Sequence, residues 1–198
     1  MSEVYHGGQR ELQARFDSTR LADRLAEVKM RAELDAADAA FIAARDMLFL
    51  ASADAEGRPS CSYKGGDPGF VRVLDARTVA FPCYDGNGMF VSMGNALVNP
   101  HVGLLFIDFE RGRRLRAEGQ ARLCFEHPLL AEFPEAQFLV EVRLERVYPN
   151  CPRYIHRYRL EQRSPFVPRA ACETPVPEWK RSEWAHDVLP SGDPALGE

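Results

Sequence analysis

The sequence predicts a mainly β fold of the α+β kind, an antiparallel barrel or sandwich with helices at its N-terminal end. Three observations predict it. Short strand candidates follow one another closely between Met47 and Val147. The turns between them, "GGDPG", "DART" and "ERGR", are rich in Gly, Asp and Pro. Long helices do not alternate with the strands, which argues against a parallel α/β sheet.

Residues 9–30, "QRELQARFDSTRLADRLAEVKM", place Leu12, Phe16, Leu21, Leu25 and Val28 at near-helical spacing with charges between, so a helix is expected there. A second helix fits "DAADAAFIAARD", capped by Asp35 or Asp38, with Phe41 and Ile42 facing inward. "MLFLASAD" changes character to a buried strand and is closed by the turn "AEGRP". Further strands are expected at Ser60–Lys64, Phe70–Leu74, Thr78–Phe81, Val102–Asp108, Arg114–Phe125 and Phe138–Val147. Only a short helix after Tyr84 interrupts them. Beyond Pro149, "CPRYIHRYRLEQR" suggests another short helix, followed by a proline-rich tail. Two Trp and a Phe in that tail predict that it is ordered by docking. The chain thus divides into a helical segment 1–46, a β domain 47–149 and a docking extension 150–198.

At 198 residues the chain can bury a substantial core, and its 45% apolar content is that of a globular protein. A net charge of −4 argues against non-specific nucleic-acid binding. No apolar run approaches the ~20 residues of a membrane span, and "MSEVYHGGQR" lacks the apolar core of a signal peptide. A soluble, cytoplasmic protein with no membrane partner is expected. Cys61, Cys83, Cys124, Cys151 and Cys172 are odd in number and dispersed, so neither a metal site nor a disulfide framework is expected; buried free thiols are. Lysine is scarce, which makes Lys64 stand out.

Three segments are candidates for chemistry. In "CYDGNGMFVSMGNALVNPHVGLLF", running from Cys83 to Phe106, a helix starting near Gly88 would place Ser92, Asn95 and Asn99 on one face. Met89, Met93 and Leu97 would form the opposite, apolar face. The free N–H groups of such a helix start suit a phosphate, with Gly86 and Gly88 allowing close approach and Asn87 and Ser92 adding donors. The plainer alternative is a connector helix capped by Asp85 or Asn87. In "SYKGGDPGFVRV", Lys64 ends one strand and Arg72 lies in the next, on a face with Phe70 and Leu74. Two cations aimed at one ligand are one reading; a surface pair with Asp67 or Asp75 is the other. In "ERGRRLRAEGQARL", the basic cluster is a solvated hairpin, for no aromatic residues interleave it.

The ordered set formed by "GFVRVLDARTVAF", a Tyr-containing turn, a short helix ending in Asn-Pro, the strand "VGLLF" and a basic hairpin resembles the pyridoxamine 5′-phosphate oxidase-like superfamily. The resemblance spans roughly Met47 to Val147. It implies an antiparallel split β-barrel, a homodimer with an FMN site at the subunit interface, and an oxidoreductase acting on a small molecule. Under it, Arg72 grips the phosphate, and Tyr84 follows an aromatic-polar position that falls near Pro82 and Cys83. The family's basic pair on the short helix falls on Val91 and Ser92, a departure that Lys64, Ser92, Asn95 and the helix start would offset. Arg114, reaching in from the partner subunit, would face the flavin ring. The expected cofactor-binding set is Lys64, Arg72, Tyr84, Asn87, Ser92, Asn95 and Arg114, with no catalytic residue assigned. The alternatives are an enzyme that uses a deazaflavin or another flavin on the same barrel, and a dimeric split-barrel binding protein that carries flavin or haem or has no cofactor. "PEWKRSEWAHD" holds Trp and Arg in no order that aligns with the oxidases' substrate motif, so oxidation of pyridoxamine phosphate is not inferred.

Overall fold

A computed structural model of the chain describes residues 4–197. Helices α1 (Gly7–Arg15) and α2 (Thr19–Lys29) replace the single expected helix. The break is at Asp17, whose left-handed backbone (φ 50°) turns the chain before Ser18. Leu12, Phe16, Leu21, Leu25 and Val28 all remain exposed. Helix α3 (Ala36–Ala43) is capped by Asp35, whose side chain accepts the Asp38 amide, and it drives Phe41 and Ile42 into the core.

The strands are β1 (Met47–Ala53), β2 (Pro59–Gly65), β3 (Arg72–Asp75), β4 (Thr78–Tyr84), β5 (His101–Asp108), β6 (Arg113–Cys124) and β7 (Ala136–Pro149). They form one antiparallel sheet of order β2-β1-β5-β6-β7-β4-β3, and the fold is a mainly β split barrel. Helix α4 (Val91–Val98) lies between β4 and β5 and packs against β1, β2 and β6. Strict alternation on β5 sends Val102, Leu104, Phe106 and Asp108 inward. They meet Leu48, Leu50, Phe81, Val140, Val142 and Val147 in a single core. Each large aliphatic or aromatic side chain buried there contributes about 1.5–3 kcal/mol. Between Glu118 and Gly119 the β6–β7 register shifts, and a Cβ on Gly119 would lie 2.1 Å from the Arg143 carbonyl oxygen. Glycine is what lets the two backbones close at this bulge.

The strand at Phe70–Leu74 begins only at Arg72, so the expected alternation fails: Phe70 and Val71 are both buried. No helix forms over 151–163. The extension beyond Pro149 docks instead by ionic and hydrogen-bond anchors. Arg157 donates to the Glu110 carbonyl (3.1 Å), and Arg169 grips Asp67 with two bonds of 2.7 and 2.9 Å. Trp179 is half-buried and stacks on Trp184, which is 72% exposed. Trp184 lies in the short helix α5 (Glu183–His186). All five cysteines are free, but only Cys83 and Cys124 are buried, not all five. Among the described residues, no helix is long and apolar enough to cross a membrane.

Candidate functional site

The turn after β4 builds the site. Asp85 to Phe90 leave the sheet through Gly88 (φ 73°) and Phe90 (φ 48°), both left-handed, before α4 begins at Val91. For Phe90 that conformation costs about 1 kcal/mol or more and persists because the turn and the helix fix both sides of it. The Met89 amide donates to Asn87 Oδ1 (3.1 Å), which holds the turn, while no side chain caps α4. Its first residues, with these amides uncapped, line a cavity of about 490 Å³, in the range of small-molecule sites.

That cavity is lined by Ser60, Cys61, Ser62 and Lys64 of β2, Cys83 and Tyr84 of β4, the turn residues 86–88 and 90, and Val91 to Met93 of α4. No carboxylate lines it, and Lys64 is its one charged residue. No ion pair engages Lys64 among the described residues. The Ser92 hydroxyl donates to Ser62 Oγ (2.9 Å), which leaves the Ser62 proton free to point elsewhere. Free helix amides, hydroxyls and an unpaired ammonium make a site for an anion.

A second cavity of about 540 Å³ shares Lys64, Cys83, Tyr84 and Gly86 with the first. Its outer wall comes from the C-terminal extension, through Leu160, Gln162 to Ser164, Phe166 and Val167. Tyr84 stands between the two, half-buried; burial and the nearby Asp67 push its phenol pKa up, against the pull of Arg72. Burial likewise raises the Cys83 thiol, with Lys64 acting the other way.

Of the expected site residues, Lys64, Tyr84, Asn87 and Ser92 line the first cavity. Asn95 does not; it reaches into the fold and donates to Ser52 Oγ (3.2 Å), as Asn99 does to the Asp54 carbonyl (3.3 Å). The polar face of α4 thus binds β1 and the turn after it. Its apolar residues divide: Met93 is buried, while Met89 and Leu97 stand exposed. Arg72 lines neither cavity. It pairs with Glu132 (3.2 Å), lies over the Phe133 ring, and keeps its Nε buried without a partner. Arg114 sits at a separate hollow with Asp38, Phe41 and Asn150, and donates to the Cys151 carbonyl (2.6 Å). Ser60 and Ser62 were missed; their alternation along β2 beside Lys64 is the signal that would have found them.

No curated protein matches the chain. Among solved structures, a candidate pyridoxamine 5′-phosphate oxidase from Lactobacillus delbrueckii is 20% identical, with a TM-score of 0.50, covering 61% of this chain and 99% of that one. An FMN-binding protein from Syntrophomonas wolfei is 11% identical (TM-score 0.44; 72% of this chain and 97% of that one). HupZ of Group A Streptococcus is 18% identical (TM-score 0.47; 59% and 94%). The pyridoxamine 5′-phosphate oxidase family model matches residues 34–151, a stretch that holds every strand of the barrel and the turn that opens α4. On that match the chain belongs to the pyridoxamine 5′-phosphate oxidase family.

Proposed function

We propose that the protein is an FMN-binding oxidoreductase acting on a small molecule. One observation carries the proposal: a cavity without carboxylates, where the amides of a helix start, the Ser60 and Ser62 hydroxyls and the unpaired Lys64 ammonium converge. These groups would hold the FMN phosphate, since an anion of that charge must meet donors wherever it is desolvated. FMN, when bound, supplies the hydride and electron transfer. The chain's own residues orient and enclose: Tyr84 and Cys83 wall the passage between the two cavities, and the extension shields the outer one from water. The second cavity is where a substrate would meet the ring. We assign no acid or base.

Two further elements belong to the same reading. A homodimer would bring Arg114 of one copy to the site of the other, and it would cover the exposed Met89, Phe90, Val91, Leu97 and Val98. Five free thiols suit a reducing compartment, so we place the protein in the cytoplasm.

A dimeric split-barrel binding protein, carrying flavin or haem, or no cofactor, is the second reading. Val91 at the helix start and the engagement of Arg72 by Glu132 favour it, since both lower the positive charge available to a phosphate. The absorption spectrum of the purified chain, followed by titration with FMN, decides between them. Flavin bands and saturable FMN binding are expected; a haem Soret band, or no chromophore and no uptake of FMN, overturns the first reading.

A further inference from the structure

Lys180 is the only lysine or arginine classed as buried among the described residues, with its side chain 4% exposed. It lies in the C-terminal extension, almost a hundred residues from its partner in the site. Its ammonium donates to Asp85 Oδ2 at 2.5 Å and to Asp193 Oδ2 at 2.6 Å. Asp193 is itself nearly buried and accepts the Ala195 amide (3.0 Å), so the tail folds back on itself around the lysine. Asp85 is different. It is half exposed and is the first residue of the turn that leads through Gly86, Asn87 and Gly88 to the α4 start.

A buried ammonium with a single carboxylate already balances its charge. A second carboxylate, 95 residues earlier in the chain, adds a tie between two segments. The turn needs one. Gly86 and Gly88 give it backbone freedom, no side chain caps α4, and its internal hold is the Asn87 side chain on the Met89 amide. Left alone, such a turn samples many shapes, and a ligand must bear the cost of ordering it.

We propose that Lys180 is a positioning residue: it ties the C-terminal extension to Asp85 and thereby fixes the 85–90 turn in its ligand-accepting shape. Order in the turn is a property of the free protein; the effect on FMN affinity rests on the flavin reading above. The extension is then a structural part of the site as well as a wall of its outer cavity.

The test uses the full-length chain and two variants. Lys180→Met removes the tie at both ends. Asp85→Ala removes it at the turn only and leaves the Lys180–Asp193 pair to keep the tail docked. Backbone ¹⁵N order parameters for residues 86–90 are the direct readout, and Trp179 and Trp184 emission reports tail docking. In the unmodified protein these amides are expected near 0.85, and below about 0.6 in both variants. Tryptophan emission should shift to the red in Lys180→Met and stay unchanged in Asp85→Ala. FMN should bind Lys180→Met at least about tenfold more weakly. Order parameters for 86–90 that are unchanged in both variants, or already low in the unmodified protein, overturn the tie whether or not FMN binds. An ordered turn that loosens in both variants, in a protein that takes up no FMN, upholds the tie and overturns the flavin reading alone.

Discussion

Replacing Lys64 with Met removes the one charge that lines the inner cavity while keeping an unbranched stem of similar reach. A hydrogen bond to a charged partner contributes about 1.5–3 kcal/mol, and Lys64 is partly open to water, so screening holds the effect near the lower bound. At 1.4 kcal/mol per tenfold, FMN affinity should fall by roughly ten- to thirtyfold. Riboflavin has the same ring and no phosphate, so its affinity should change less than about twofold if the ammonium serves the phosphate. Fluorescence titration of both ligands reads the difference directly. Val91→Arg is the converse change: it places a cation on the exposed first residue of α4 and should tighten FMN severalfold, leaving riboflavin alone. Equal losses for both ligands in Lys64→Met would locate Lys64 against the ring. No change for FMN in either variant would refute the phosphate site.

Gly119→Ala forces a methyl against the Arg143 carbonyl and should cost about 2–4 kcal/mol through strain and a broken ladder bond, lowering Tm by roughly 4–16 °C in a calorimetric scan. Asp67 has its pKa held down by the Arg169 guanidinium; for Asp193, burial raises the pKa but Lys180 and the Ala195 amide override it, so the net shift is downward. Both anchors therefore stabilise docking above the ordinary carboxylate pKa of about 4 and lose that stabilisation as pH falls through their lowered values. Tryptophan emission should accordingly be flat from about pH 5 to 8 and shift only on acidification below about pH 4; a transition near neutrality would contradict the ionic account of docking. Sedimentation at micromolar concentration should give a dimer, and a monomer there would withdraw Arg114 from the site.

The barrel was legible because each strand carries its own signal. The alternation of Val102, Leu104, Phe106 and Asp108, and the Gly- and Asp-rich turns, are local facts of sequence. So was the short helix, which glycines precede and Asn-Pro closes, although it begins at Val91 and not near Gly88. Orientation was harder to see. Ser92, Asn95 and Asn99 look like a solvent or ligand face, yet they bind Ser62 of β2, Ser52 of β1 and the Asp54 carbonyl in the turn after β1, which lie 30, 43 and 45 residues earlier, a pairing no local period reveals. The resemblance assigns Arg72 the phosphate; in the fold Arg72 pairs with Glu132, 60 residues on, at the end of a 3-10 turn whose position only the folded sheet determines. The docking of the tail was expected from its tryptophans; the groups that hold it are Arg169 and Lys180, whose partners Asp67 and Asp85 are distant acids like any other in the sequence.

Phe90 and Val91 belong at once to the exposed apolar strip of α4 and to the rim of the inner cavity. Whatever covers the strip also narrows the mouth through which a ligand enters or leaves. If a second copy provides that cover, self-association and ligand uptake are linked equilibria, and each must shift the other by the same factor. Ligand affinity would then change with protein concentration and level off once pairing is complete, although no residue of the site had changed.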